Sequence, residues 1–143
     1  MVKVYDVETD KMIKETAKRL REMGLKKPDF VGLVKSGSHT ERPPEQEEFW
    51  WMRAASVLRK IYINGNMGVN KLRREYGGRK KFGIRPAHFR PAGGKTNRVA
   101  LQELEKMGLI KKGENGKGRV ITGAGEKLLD SVAFSIKKSK GAE

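Results

Sequence analysis

The sequence has no cysteine and few other residues from which a chemical site is built. Without cysteine it forms no disulfide and offers no thiolate to a metal or a substrate. Its two histidines, His39 and His88, are far apart and lack the spacing of metal ligands. A phosphate-binding glycine loop and a nucleophilic serine motif are also missing. We therefore predict that the chain is not an enzyme and carries no metal or cofactor.

Long apolar runs are absent too. No segment approaches the roughly 20 apolar residues of a membrane-spanning helix, and no signal-peptide pattern opens the chain. Apolar residues still recur with helical spacing, and 143 residues are enough for one small core. We expect a cytoplasmic protein with no membrane partner that forms a single domain over 1–143.

Acidic residues are missing from one long stretch of a basic chain. The formal net charge is +15, and residues 49–143 carry all of it, because acids and bases balance in residues 1–48. No acid lies from Tyr76 to Gln102, where glycines and prolines interrupt the run. A positive, irregular segment of this kind attracts a polyanionic backbone, so nucleic acid is the expected partner. Its basic residues are Arg79, Lys80, Lys81, Arg85, Arg90, Lys95 and Arg98, together with His88.

Apolar periodicity predicts five helices. Gly24 and Gly65 fit as the stops of the first two helices. Between them, residues 25–44 are interpreted as a linker with a short turn at Pro28–Val34. The predicted helices are Val7–Met23 with Asp6 as N-cap, Glu45–Asn64, Val69–Tyr76, Thr96–Met107, and Thr122–Ile136 with Thr122 as N-cap; residues 137–143 are predicted to be a flexible basic tail.

Two short strands are predicted between the last two helices, Leu109–Lys112 and Arg119–Thr122, joined by a tight turn at Asn115-Gly116. This order is typical of a winged helix-turn-helix. We thus predict a mainly α fold with a winged-helix core over 45–136, a β-hairpin wing, and an extra N-terminal helix and linker over 1–44. The recognition helix of that fold meets nucleic acid with its N-terminal end, and the wing can add phosphate contacts. The candidate residues there are Lys95 and Arg98 on the helix and Lys117 and Arg119 on the wing.

The connection from Gly78 to Gly94 is predicted to be a loop, and it is long for a DNA reader. A helix-turn-helix turn has about three or four residues. A large basic loop would crowd the DNA major groove and suits an irregular RNA surface better. Two alternatives stay open: a winged-helix transcription regulator bound to duplex DNA, and a module that recognises an acidic protein surface.

Several side chains have both a functional and a structural interpretation. Arg53, Arg59 and Lys60 either form a solvated helix face or contact RNA, and few acids lie at helical spacing to neutralise them within the helix. Trp50 lies on the apolar stripe and is predicted to be core, whereas Trp51 either packs on the N-terminal helix or faces a partner. Phe82 and Phe89, which lie within the predicted loop, are interpreted as its buried anchors.

Four sequence strings stand in a distinctive order along the chain. They are Trp50-Trp51-Met52-Arg53-Ala54-Ala55-Ser56, Tyr76-Gly77-Gly78-Arg79, Pro86-Ala87-His88-Phe89 and Leu101-Gln102-x-Leu104-Glu105. In this order they resemble one known family, the small-subunit ribosomal protein number nineteen of archaea and eukaryotes. The resemblance covers nearly the whole chain, and residues 1–35 match mainly by helical pattern. Ala87 stands where the family often has serine, and Val99 follows Arg98 where many members have a second basic residue.

The resemblance implies a winged helix-turn-helix protein on the head of the small ribosomal subunit. It implies binding to small-subunit rRNA, neighbouring ribosomal proteins as further partners, and a role in subunit assembly and pre-rRNA processing. The protein would be a monomer within the cytoplasmic ribosome. The functional arginines of the family correspond to Arg53, Arg59 and Arg98.

Overall fold

The computed structural model describes residues 2–30, 35, 37 and 48–141, with Phe82 and Asn115 described by their backbone only. This part of the chain is mainly helical, with two small antiparallel sheets. The helices are α1 (Thr9–Glu22), α2 (Phe49–Asn64), α3 (Val69–Glu75), α4 (Gly94–Lys106) and α5 (Gly123–Gly141), and the strands are β1 (Asn66–Met67), β2 (Gly78–Phe82), β3 (Arg85–Arg90), β4 (Ile110–Lys112) and β5 (Arg119–Ile121).

Helix α2 is the centre of the core because α1, α4, α5 and β5 all pack against it. Its apolar stripe includes Trp50, Leu58 and Ile61, each 0% exposed, so the prediction that Trp50 is core is confirmed. The side chains that meet this stripe are also apolar and buried. They include Met12 and Leu20 of α1, Leu101 and Leu104 of α4, and Leu129 and Val132 of α5.

The N-terminal helix packs along α2. Trp51 Nε1 donates to the Leu25 carbonyl at 2.7 Å, and the Arg21 guanidinium lies 4.6 Å from the indole centroid. Of the two interpretations of Trp51, packing on the N-terminal region is therefore confirmed. Asp6 is not the N-cap of α1: it lies in a 3-10 turn, where its carboxylate accepts the Lys3 N–H at 2.9 Å.

Helix α2 begins at Phe49 in the described residues, whereas the sequence placed its start at Glu45. Residues 45–47 lie outside the described part of the chain, as do His39, Pro43-Pro44 and most of the predicted turn at Pro28–Val34. The predicted end is confirmed, because Gly65 follows α2 with a positive φ of 87° and donates to the Ile61 carbonyl at 2.9 Å.

The two strands predicted between α4 and α5 are confirmed as β4 and β5, but they belong to a three-stranded sheet in the order β1-β5-β4. The sequence missed β1, because a strand of two residues leaves no periodic pattern. The predicted tight turn at Asn115-Gly116 is wrong. A 3-10 turn at Glu114–Gly116 lengthens the connection, and the Gly113 N–H donates to the Gly118 carbonyl at its base.

Helix α5 starts as predicted and ends later. The Thr122 hydroxyl accepts the Gly125 N–H at 3.3 Å, which confirms Thr122 as the N-cap. The predicted end at Ile136 is wrong, because residues 137–141, predicted as part of a flexible tail, continue α5 to Gly141. No proline intervenes there, lysine is a good helix former, and its charge suits the helix C-terminus.

The largest correction concerns the predicted loop from Gly78 to Gly94. Residues 78–90, here called the basic arm, form an antiparallel hairpin of β2 and β3 between α3 and α4. Glycines and prolines suggested a loop, but they occupy special positions in the hairpin. Gly83 has φ 74° in the turn, and Pro86 lies where β3 has one residue more than β2 opposite it.

Candidate nucleic-acid interface

The basic arm presents cations on both of its faces. Gly78 pairs with Arg90, Arg79 with Phe89, and Lys80 with His88, so successive pairs point to opposite faces. Most of these side chains are exposed, Lys80 being half-buried, and β2 and β3 contact each other far more than the rest of the molecule. The arm brings together six predicted site residues: Arg79, Lys80, Lys81, Arg85, His88 and Arg90.

The base of the arm is fixed to α3. The Ala92 N–H donates to the Arg73 carbonyl at 2.8 Å, and Arg73 Nε donates to the Ala92 carbonyl at 2.8 Å. Ala92 is itself buried and forms an isolated bridge with Gly37. Sequence reasoning missed Arg73. Its position one turn before Gly77-Gly78, at the edge of the acid-free stretch, was the only signal, and its tertiary partner was not visible.

Helix α4 begins directly after this base and points its N-terminus at the same region. Lys95 and Arg98 lie in its first turns and are exposed, and no acid lies in the first turn. Gly93 provides no side-chain cap, so the positive end of the helix dipole adds to these two cations. Lys95 Nζ lies 4.6 Å from the Phe30 ring centroid, which fixes its direction.

Arg53 lies beneath the start of α4 and is half-buried. Its guanidinium carbon is 3.9 Å from the Tyr76 ring centroid and 5.2 Å from that of Phe49. Its Nη1 donates to Asn97 Oδ1 at 3.3 Å, and Asn97 Nδ2 donates to the Gly93 carbonyl at 3.3 Å. Burial lowers the pKa of Arg53, although Tyr76 opposes this effect. Arg53 thus connects α2 and α3 to the N-terminus of α4.

Arg59 and Lys60 are held by tertiary contacts that helical spacing could not reveal. Arg59 Nη2 donates to the Thr9 hydroxyl at 3.2 Å, at the start of α1. Lys60 Nζ lies 3.4 Å from a Glu75 carboxylate oxygen and 5.3 Å from the Tyr76 centroid. Few acids lie near Lys60 in α2, but α3 provides one. Arg59 therefore lies toward α1, apart from the arm.

The β4–β5 hairpin, which the sequence predicted to be a wing, contributes less charge than the sequence suggested. Lys117 is exposed, as are Lys111 and Lys112 on β4. Arg119 is half-buried and its Nε lies 3.3 Å from a Glu105 carboxylate oxygen, so α4 neutralises part of its charge.

The interpretation of Phe89 as a buried anchor is wrong, since it is 54% exposed. The side chain of Phe82 is outside the described set. Ile84, at the tip of the arm, is also exposed. Apolar surface therefore accompanies the charge of the arm.

This arrangement can bind an extended polyanion by charge and shape. Among the described residues, no cluster of histidine and carboxylate side chains could hold a metal ion. No described helix is long and apolar enough to cross a membrane.

A family comparison covers almost the whole chain: the family described as Ribosomal protein S19e matches residues 3–139. The chain belongs to the ribosomal protein S19e family. The family resemblance seen in the sequence is thereby confirmed. S19e is a family of ribosomal proteins rather than of enzymes, which confirms the prediction that the chain has no catalytic function.

Individual S19e relatives agree with this result. Small ribosomal subunit protein eS19 of Aeropyrum pernix is 42% identical over 139 residues, covering 95% of this chain and 90% of the relative. The protein of the same name from Haloarcula marismortui is 41% identical over 141 residues, covering 95% and 92%. Small ribosomal subunit protein eS19A of Schizosaccharomyces pombe is 38% identical over 136 residues, covering 94% of each chain.

Proposed function

We propose that the chain is a structural protein of the small ribosomal subunit and binds the subunit's rRNA. The observation that carries this proposal is the basic arm, which presents cations on both faces next to the positive N-terminus of α4. The names of the S19e relatives, all small ribosomal subunit proteins, support the same function.

The fold of the RNA-binding part is a winged helix-turn-helix. The order α2, β1, α3, α4, β4, β5 and the sheet order β1-β5-β4 support this assignment. In this assignment α4 is the recognition helix and the β4–β5 hairpin is the wing. The basic arm is then inserted where a DNA-binding member has its short turn.

The mechanism is electrostatic clamping. Arm cations and the first turns of α4 neutralise phosphates that would otherwise repel each other as the RNA folds, and Lys117 adds a contact from the wing. Arg53 acts mainly by holding the start of α4 in place through Asn97. Arg59 and Lys60, held by Thr9 and Glu75, and Arg119, held by Glu105, orient neighbouring elements and add positive potential.

The cellular role follows from this mechanism. The chain binds the head of the small subunit as a monomer, contacts other small-subunit ribosomal proteins there, and resides on cytoplasmic ribosomes. It supports assembly of the subunit and pre-rRNA processing by fixing the local shape of the RNA. The alternative of a duplex-DNA regulator gains no support, because the arm would project where α4 has to approach a groove only about 12 Å wide.

Sedimentation of a cell extract through a sucrose gradient at moderate salt tests the proposal. The chain should migrate with the small subunit, and treatment with ribonuclease should move it to the light fractions. A variant with Arg79, Lys81 and Arg85 replaced by glutamine should shift toward the light fractions without ribonuclease. A wild-type chain found only in light fractions would contradict the proposal.

A further inference from the structure

Phe89 is an exposed aromatic side chain among the cations of the arm. It is 54% exposed, although a phenyl ring gains more from burial than most side chains do. It lies directly opposite Arg79 in the hairpin register, so the ring and the guanidinium project from the same face. A single exposed apolar residue is common on protein surfaces. The residues around Phe89 therefore decide whether its exposed ring is a binding feature or ordinary protein surface.

The backbone at Gly77 makes room for this ring. A Cβ atom built on Gly77 would lie 2.7 Å from Phe89 Cζ and 2.5 Å from the Arg90 carbonyl oxygen. Any other residue at position 77 would collide with the ring or with the backbone of β3. The tip of the ring therefore lies against main chain at Gly77, while the residue as a whole stays 54% exposed.

Other aromatic rings near the interface have a cation close to their centroid. The Arg21 guanidinium lies 4.6 Å from the Trp51 ring centroid, and Lys95 Nζ lies 4.6 Å from that of Phe30. The Arg53 guanidinium lies 3.9 Å from the Tyr76 ring centroid. Phe134 is exposed to a similar degree, but it lies on α5, which packs on α1 rather than on the arm. Phe89 thus combines an accessible ring, a rigid support and neighbouring cations.

We propose that Phe89 forms a stacking site for one unpaired base of the rRNA. An unpaired base exposes a π face that stacks on an aromatic side chain, while nearby arginines contact the adjoining phosphates. Arg79, on the same face, is positioned for such a phosphate contact. The inference rests on the proposed function. It adds that the arm recognises single-stranded or bulged RNA by base stacking as well as by charge.

The test is binding of the full chain to a transcript of the small-subunit rRNA at about pH 8, with wild type, Phe89→Leu and Phe89→His compared. Leucine keeps an apolar side chain but removes the π face, whereas neutral histidine keeps a π face and adds no bulk beside Gly77. We expect Phe89→Leu to bind about 5- to 150-fold more weakly, the range of one lost base–aromatic stack. Phe89→His should bind more tightly than Phe89→Leu. Ile84→Ala, which removes an exposed apolar side chain at the arm's tip, serves as the control and should weaken binding less than Phe89→Leu.

The dependence on salt separates stacking from charge. Because Phe89 is uncharged, the slope of log affinity against log salt should be the same for Phe89→Leu and wild type. Wild-type affinity in Phe89→Leu would overturn the stacking site, and so would an equal loss of affinity in Phe89→His. In either case, loss of binding in Arg98→Glu would leave the proposed rRNA function standing. If wild type itself does not bind the transcript, the proposed function fails first.

Discussion

Two arginines that sequence reasoning grouped together differ in their surroundings. Arg98 is exposed near the start of α4, whereas Arg53 is half-buried between Tyr76 and Asn97. An exposed cation is free to meet phosphate, while a desolvated one that is already paired supports the fold. The same residue type therefore has different consequences when it is removed.

Arg53→Ala should destabilise the free protein by about 1–2 kcal/mol, the range for a partly buried cation–π pair plus a hydrogen bond. Arg53→Lys should restore only part of this loss, because an ammonium group does not stack on Tyr76 as a planar guanidinium does. Thermal or urea unfolding of the three proteins measures the effect. Equal stability of Arg53→Ala and wild type would show that Arg53 is not a structural residue.

Arg98→Glu should weaken rRNA binding and leave the melting temperature nearly unchanged. Loss of one phosphate contact also reduces the salt slope by about 1. Lys106→Glu is the matched control, since it makes the same charge change at the other end of α4, where Lys106 Nζ lies 3.4 Å from a Glu103 carboxylate oxygen. Equal loss of binding in both variants would indicate general charge attraction rather than a contact at the α4 N-terminus.

Sequence reasoning reached residue roles only where they depend on local pattern. Apolar periodicity placed Trp50 in the core, and the structure confirms it. It could not find Glu75 as the partner of Lys60 or Glu105 as the partner of Arg119, because these pairs join residues on different elements. Phe89 was misjudged for a related reason: burial depends on what the rest of the fold places nearby.

At the scale of elements, the basic arm depends on its connection to α3. Gly77 lies directly before β2, and a methyl group added to it would overlap the backbone of β3 and the ring of Phe89. Gly77→Ala should therefore destabilise the arm by about 1–3 kcal/mol, the usual cost of overpacking. Hydrogen exchange of residues 78–90 should accelerate, while that of α2 should not change.

Gly123→Ala is the control for that substitution, since a Cβ built on Gly123 meets nothing within 4 Å. It should leave exchange in the arm unchanged. Normal protection of the arm in Gly77→Ala would contradict the role given to this close approach.

A second prediction concerns the junction of α2 with α5. Tyr62 donates to Asp130 Oδ1 at 2.9 Å, and burial together with that carboxylate raises the pKa of Tyr62 to about 12. The unfolded tyrosine ionises near pH 10. The contribution of Tyr62 to stability is thus complete below about pH 10 and is lost as pH rises from about 10 to 12.

Urea unfolding near pH 8 and near pH 11 measures this loss. Tyr62→Phe should lose less stability between the two pH values than wild type. Tyr5, which is 64% exposed, is a lesser cause of that shift than burial and Asp130, so Tyr5→Phe should reduce the pH dependence much less than Tyr62→Phe. If the stability of wild type and that of Tyr62→Phe changed equally with pH, the raised pKa of Tyr62 would be contradicted.

The helices were predictable because each repeats its apolar residues with helical spacing, as α4 does with Ala100, Leu101 and Leu104. The arm was not, because its strands are polar on both faces and carry no alternating apolar pattern. Glycine and proline were taken as signs of a loop, although here they form a turn and a bulge.

At the scale of the whole molecule, charge is divided along the chain. Residues 1–48 have no net charge, and residues 49–143 carry the full +15. Helix α1 packs on one side of α2, while α4 and the three-stranded sheet pack on other sides of it. Helix α1, which belongs to the part of the sequence without net charge, thus packs on one side of α2, so we expect rRNA to approach from the side of the arm and α4.

The most direct test of this account is the affinity of the purified chain for small-subunit rRNA as a function of salt. The acid-free stretch holds seven lysines and arginines, so a slope of log affinity against log salt near −6 is predicted if all of them meet phosphate. Replacing Arg79, Lys81 and Arg85 with glutamine should make the slope clearly shallower. A wild-type affinity that does not change with salt, or tighter binding to duplex DNA than to the rRNA, would contradict the account.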